Sequence, residues 1–228
     1  MSRSRAYVLD EDADLADLVP EARLGAARQS SLAAVVDLAP GLWDARREAD
    51  RARDGYGLLV LDGVLVRRVG YAGRFGAELL ADGDLLRPWE FDGVDTLGFE
   101  TGWRVLVPTR LAVLDLLWTE RMVRYLRVGP ALAGRALVRS RRLTAMMAIA
   151  QHPRLDERLW MLFWELADRH GRVHTDGVHL DLPLTHEVLS HLVAARRPSV
   201  SGALTKLAAQ GRVRRNGRGW VLRGDPPG

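Results

Sequence analysis

The chain has 228 residues, a formal net charge of +4 and no cysteine: room for two modest cores, and no disulfide, thiolate metal site, cysteine-ligated cluster or cysteine nucleophile. The charge is unevenly placed, because residues 1–187 sum to −3 while residues 188–224 hold eight basic side chains and no acid. No segment approaches the roughly 20 apolar residues of a membrane span, and the N-terminal arginines lead into the acidic run Asp10–Asp17 rather than an apolar signal core, so a soluble cytoplasmic protein with no membrane partner is expected.

In chain order, Leu24–Leu38 reads as one amphipathic helix between breaks at Pro20 and Pro40-Gly41. From Tyr56 the period shortens. The run GLLVLDGVLVRRV places Asp62-Gly63 between two β-rich segments, a hairpin signal. A second run reaches Glu78–Leu80 before Asp82-Gly83 turns the chain, and Trp103–Pro108 and Leu111–Leu114 read as two further strands. Gly55 to Leu114 is therefore expected to be a small antiparallel β-domain, too short for a doubly wound nucleotide-binding sheet.

Helical spacing resumes after Asp115, with Pro130 in the first turn of a long helix, where proline is tolerated. Ala131–Ala150 carries the stripe Leu132, Ala136, Leu143, Met146, Met147 and Ala150. Such a stripe can pack on its own β-domain or form a two-stranded dimer seam, and the spacing leaves both readings open. His152-Pro153 breaks the helix. Leu155–Arg169 is a further helix with Leu159, Leu162, Phe163 and Leu166 on one face, Asp176-Gly177 turns a hairpin, and Val178, Leu180 and Leu182 alternate as in a strand.

Leu182–Val221 then spells helix, tight turn, helix and basic hairpin, the order of a winged helix-turn-helix. Thr185 is the expected N-cap of the first helix, whose inward face is Leu189, Leu192 and Val193. The second helix starts at Arg196-Arg197-Pro198. Val200, Ala203, Leu204 and Leu207 point inward, leaving Arg197, Ser201 and Thr205 on the opposite face. Arg197 stands at the helix N-terminus, where a guanidinium can take guanine O6 and N7 together. Ser201 and Gly202 are small enough to let the helix approach base edges. Arg214-Arg215-Asn216-Gly217-Arg218 forms a hairpin tip that offers arginines to phosphate. The expected double-stranded-DNA contacts are Thr185, His186, Arg196, Arg197, Ser199, Ser201, Gly202, Thr205, Lys206, Arg214, Arg215 and Arg218.

Catalysis and metal binding find no support. His186-Glu187 with His191 imitates a zinc-protease helix, but its histidines lie at i and i+5, about 140° apart, rather than at i and i+4. His170 and His174 have the right interval with Gly171 between them. G-x-S-x-G, P-loop and G-x-G-x-x-G patterns are absent. No catalytic residue, metal or cofactor is expected.

The segments HTDGVHLDLPLTHEVLSHLV to ARRPSVSGALTKLAAQGRV, the preceding HPRLDERLWMLFWELADRHG and the opening GYGLLVLDGVLVRRV resemble the Crp/Fnr superfamily of transcription regulators over nearly the whole chain. The resemblance implies an α+β fold: an N-terminal antiparallel β-roll like a cyclic-nucleotide-binding domain (1–114), a helical linker with a long homodimerisation helix (115–151) and a C-terminal winged helix-turn-helix (152–228). It implies that Arg197 is a base-reading arginine, Ser199 a phosphate-binding hydroxyl and His186 a phosphate contact. Arg196 replaces the usual serine N-cap, and Pro198 and Gly202 replace an acid and a second arginine, so half-site preference should differ from that of well-known members.

The region GAELLADGDLLRPWEFDGVDTLGFETGWRVLV keeps Arg87-Pro88 and Arg104 but has no arginine-hydroxyl pair after a helical turn. A typical cyclic nucleotide is accordingly not the expected effector. Arg87, Trp89 and Arg104 are candidate ligand-binding residues, and Trp89, Phe91, Phe99 and Trp103 read as core or as a pocket for an unknown small molecule. The expected partners are double-stranded DNA, a second copy of the chain, an unknown small-molecule effector and RNA polymerase. The alternative is an effector-independent DNA-binding or polymerase-contacting regulator; a cyclic-nucleotide-responsive one ranks below it.

Overall fold

The computed structural model describes residues 4–88 and 97–227. Contacts divide the chain into two compact units, residues 1–67 with 79–141 and residues 68–78 with 142–228. The N-terminal half contains β1 (Ser4–Tyr7), α1 (Val8–Glu11), α2 (Ala13–Ala16), α3 (Glu21–Ser30), β2 (Leu32–Leu38), β3 (Gly41–Trp43), α4 (Arg46–Ala52), β4 (Gly57–Tyr71), β5 (Arg74–Ala81), β6 (Leu85–Leu86) and β7 (Glu100–Leu114), followed by α5 (Leu116–Met122) and α6 (Val128–Gln151). The described strands form one sheet in the order β1-β2-β7-β4-β5, with β3 also on β7 and β6 on β4.

Three expectations are corrected here. The helix read over 24–38 ends at Ser30, and its second half is β2, paired with β7 in the register Val36↔Leu111. The stop is local and buried. The Ser31 hydroxyl donates to the Arg28 carbonyl oxygen and accepts from Leu9 N–H, while its own carbonyl accepts from Trp118 Nε1 at 2.9 Å. Beyond it, Val35 and Val36 suit a pleated surface.

Asp62-Gly63 does not turn the chain, because β4 runs unbroken through it. Gly63 instead has φ +106, and a Cβ there would come within 2.4 Å of the Pro108 carbonyl oxygen. The glycine marks a close approach to β7. The actual hairpin is at Ala72-Gly73, both at positive φ. Likewise Trp103–Pro108 and Leu111–Leu114 are parts of one strand, β7.

The apolar runs of β4 and β7 are nearly continuous because both faces of the sheet are covered. Leu59, Leu61, Ala112 and Leu114 join one core with Leu9, Leu15, Trp118 and Leu132. Leu58, Val60, Leu111 and Val113 alternate into a second core with Leu65, Leu86 and Trp103. Trp103 is thus a core residue, edge-on to Trp43 at 5.5 Å, whereas Phe99 is exposed. Trp89 and Phe91 lie outside the described residues.

Helix α6 is held at its start. Arg135 makes a two-point ion pair with Asp12, and of the 24 residues of the helix only Val128 and Leu132 are buried. Leu132 therefore belongs to the β-domain core and not to the stripe that follows it.

The C-terminal half contains α7 (Leu155–His170), β8 (Gly171–His174), β9 (Gly177–Leu180), α8 (His186–Leu192), α9 (Arg197–Ala209), β10 (Val213–Asn216) and β11 (Gly219–Leu222), with sheet order β10-β11-β9-β8. The inward faces read from the sequence are the ones observed: Leu159, Leu162 and Phe163 of α7, Leu189 and Leu192 of α8, and Val200, Leu204 and Leu207 of α9 are buried. Phe163 meets Trp220 with ring centroids 5.1 Å apart.

A charged network fastens α9 to α7. The buried Asp156, in the first turn of α7, accepts from Arg154 at 2.9 Å and pairs with Lys206 of α9 at 2.5 Å. Next to it Arg212 bonds Glu157 at 3.3 Å and lies over the Trp160 ring. The Arg154 and Lys206 hydrogen bonds hold the Asp156 carboxyl well below the ordinary carboxylate range. Its contribution to stability is therefore complete above about pH 4, the unfolded value, and is lost as pH falls below it. Both cations are about half exposed, which keeps the magnitude modest. Asp156→Asn should destabilise the α7–α9 packing by about 1–2 kcal/mol at neutral pH. Hydrogen exchange in α7 and α9 reads this directly, and the difference from the wild type should close as pH falls below about 4.

Candidate nucleic-acid interface

Helix α8 begins at Thr185, whose hydroxyl accepts from Val188 N–H at 3.2 Å, as an N-cap threonine should. It ends at Val193, and Ala194 then takes φ +50, a left-handed conformation that favours glycine. The turn is closed by Ala195 N–H donating to the Ser190 carbonyl oxygen at 2.8 Å. Helix α9 opens at Arg196, whose side chain makes no cap, and Pro198 occupies the first turn, where its missing N–H costs nothing.

Burying Val200, Leu204 and Leu207 turns the other side of α9 outward. There Arg196, Arg197, Ser199, Gly202 and Thr205 are exposed, and a Cβ at Gly202 would meet nothing within 4 Å. Arg197 has no side-chain partner among the described residues. Two of the three hydroxyls here are engaged: Ser201 Oγ lies 2.8 Å from His186 Nδ1, and Thr205 donates to the Ser201 carbonyl oxygen at 3.1 Å.

The hairpin β10–β11 turns at Gly217, φ +54. Successive strand residues face opposite sides, and this separates two arginines that the sequence reading grouped together. Arg215, in register with Trp220, lies over that ring at 4.6 Å and donates to the Leu184 carbonyl oxygen at 3.0 Å. Arg214 goes to the other face and pairs with Asp176 at 2.9 Å. His179 also bonds Asp176, at 2.7 Å. The His179 bond, with Arg214 adding to it, holds the Asp176 carboxyl below its ordinary value. Arg218 is exposed at the tip.

Between α8, α9 and β10 these residues enclose a cleft of about 760 Å³, lined by Thr185, His186, Arg197, Ser201, Thr205 and Arg215 among others. Its cations are opposed by one acid in the lining, Glu187. A cleft with two arginines against one acid, beside the outward face of a fixed helix, is suited to a polyanion. Lys206 is not part of it. Nine residues after Arg197 it faces the other way and is paired with Asp156.

Sequence reasoning missed Trp220, the floor on which Arg215 rests. The alternation of the strand and the short Asn-Gly turn carry that signal once the pairing register is fixed. The partners of Lys206 and Arg214 are distant in sequence and left none. Of the candidate ligand residues, Arg87 is exposed, Arg104 is exposed between the buried Trp103 and Val105, and Trp89 lies outside the described residues.

Residues 157–226 match the family of Crp-like helix-turn-helix domains. No curated protein matches the chain. Solved structures do, at low sequence identity. A CooA mutant from Carboxydothermus hydrogenoformans has a TM-score of 0.61 at 14% identity, covering 95% of this chain and 90% of that one. FixK2 from Bradyrhizobium japonicum has 0.60 at 17%, covering 84% and 93%, and a CRP-family transcriptional regulator from Thermus thermophilus has 0.54 at 21%, covering 82% and 91%. Residues 157–226 are thus a Crp-like helix-turn-helix domain, carried in a chain with the fold of Crp/Fnr-superfamily transcriptional regulators.

Proposed function

We propose that this DNA-binding regulator works in the cytoplasm as a homodimer, reads base edges with α9, holds phosphate with the cleft and the wing, and answers to no typical cyclic nucleotide. The observation that carries the reading is the cleft itself, with Arg197, His186 and Arg215 on one side of a helix whose other side is buried. The division of labour follows: residues 1–114 form a sensor-like domain, 115–151 the linker and dimerisation helix, and 152–228 the DNA-binding domain.

The dimer is supported by α6. Past Leu132 it buries no residue, although it presents Leu137, 67% exposed, and Met147, 69% exposed, with Val138 beside them. Exposed apolar side chains on so long a helix suit pairing with a second copy. On the effector side, the arginines that would have to hold a cyclic phosphate, Arg87 and Arg104, are both exposed, and a buried phosphate needs a fixed guanidinium with convergent donors. Among the described residues no helix is long and apolar enough to cross a membrane.

Arg197→Ala should cost about 1–3 kcal/mol on a specific duplex and relax the preference at one guanine, measured by titration against single-base variants. In the wing, Arg215→Ala and Arg218→Ala should each lower the salt slope of binding by about one, whereas Arg214→Ala, already neutralised by Asp176, should change it less. Leu137→Glu with Met147→Glu should turn a sedimenting dimer into a monomer at micromolar concentration, because it places charge in the seam. Monomeric sedimentation of the unmodified chain would remove the dimer from the account.

A further inference from the structure

Ser201 stands four residues after Arg197 on the outward face of α9, where a small hydroxyl could meet a base edge. Its hydroxyl is taken from two sides, with His186 Nδ1 at 2.8 Å and the Arg197 carbonyl oxygen at 3.3 Å. One hydroxyl has one proton to give, so two arrangements follow. When the proton goes to Nδ1, the neutral imidazole carries its own proton on Nε2 and can donate from there. When it goes to the Arg197 carbonyl, Nδ1–H donates to Ser201 Oγ, and Nε2 presents a lone pair unless the ring takes up a second proton. Either way Nδ1 is committed and Nε2 alone is left for an external group. An anion at Nε2 can only accept, which requires a proton there.

We propose, on the basis of the DNA-reading assignment above, that His186 and Ser201 form a latch between α8 and α9 that removes Ser201 from base reading. His186 is then a positioning residue. Through Ser201 it sets the rotation of α9, so that direct reading falls to the Arg197 guanidinium and to Thr205, whose hydroxyl proton is committed to the Ser201 carbonyl and whose methyl remains for a thymine methyl. Its Nε2–H is turned to a DNA phosphate. The cleft that His186 lines also carries Glu187 on α8, Arg197 on α9 and Arg215 on β10. The sequence offered Ser201 as a base contact on helical spacing alone; the bond to a residue fifteen positions earlier gives it a different task.

The test selects duplexes from a randomised pool with the full-length chain and its variants, then measures affinity on the enriched duplex and on an unrelated one. Ser201→Ala should weaken both duplexes by about threefold to tenfold and, by opening the latch, blur the preference only at the base pair read by Arg197. His186→Ala should blur the preference at the base pair read by Arg197. His186→Asn, whose amide can reach Ser201 from the Nδ1 position, should restore it.

A Ser201→Ala protein that loses preference at a base pair other than the one read by Arg197 would show that the hydroxyl reads DNA. A His186→Asn protein whose preference stays as blurred as that of His186→Ala would show that the bond to Ser201 does not set the rotation of α9. Either result overturns the latch while leaving the chain a DNA reader. If the wild type binds no duplex even at low salt, the DNA-reading assignment itself falls.

Discussion

The structure depends on the one-sided burial of α9. Val200, Leu204 and Leu207 are packed inward, and Lys206 is drawn to Asp156 on α7, so the helix is committed on one flank by apolar contact and charge together. The opposite flank can then stay polar without loosening the fold. A base-reading side chain is useful only if its backbone is fixed before DNA arrives, because ordering it afterwards would subtract from affinity. The acid-free composition of residues 188–224 belongs to the same arrangement: acids that neutralise basic side chains here, Asp156, Glu157 and Asp176, come from outside that window. They select which cations are held and which remain outward.

The basic residues are accordingly not one patch. Lys206 and Arg212 join α9 and the loop after it to α7, and Arg214 closes onto the β8–β9 turn. Arg215 is placed by Trp220 and the Leu184 carbonyl. Arg196, Arg197 and Arg218 are exposed. A count of positive charge therefore overstates the interface, and paired cations contribute less to counterion release than unpaired ones. The cleft between α8, α9 and β10 brings Arg197 and Arg215 together.

The C-terminal half was legible because its signals are short-ranged. An N-cap threonine, a proline in the first helical turn, inward residues at helical spacing and two glycine turns all act within a few positions, and Thr185, Pro198, Gly177 and Gly217 stand where they were expected. The N-terminal half depends on pairing between distant strands. Ala33 and Ala34 suit a helix as readily as a strand, and only β7 on one side and β1 on the other decide the matter. Gly63 shows the same ambiguity in another form, since Asp-Gly normally signals a turn but here admits the Pro108 backbone. At the site, the outward face of α9 could be drawn on a wheel. The bond that occupies Ser201 and the acid that occupies Arg214 could not, because each joins elements whose proximity is a product of the fold.

The most direct measurement of the central claim is hydroxyl-radical footprinting of the full-length chain on a duplex enriched from a random pool. A dimer of basic clefts should protect two symmetry-related patches on one face of the duplex, centred about 10–10.5 base pairs apart, or at a multiple of that spacing. One isolated patch, or uniform weak protection along the duplex, would contradict the account.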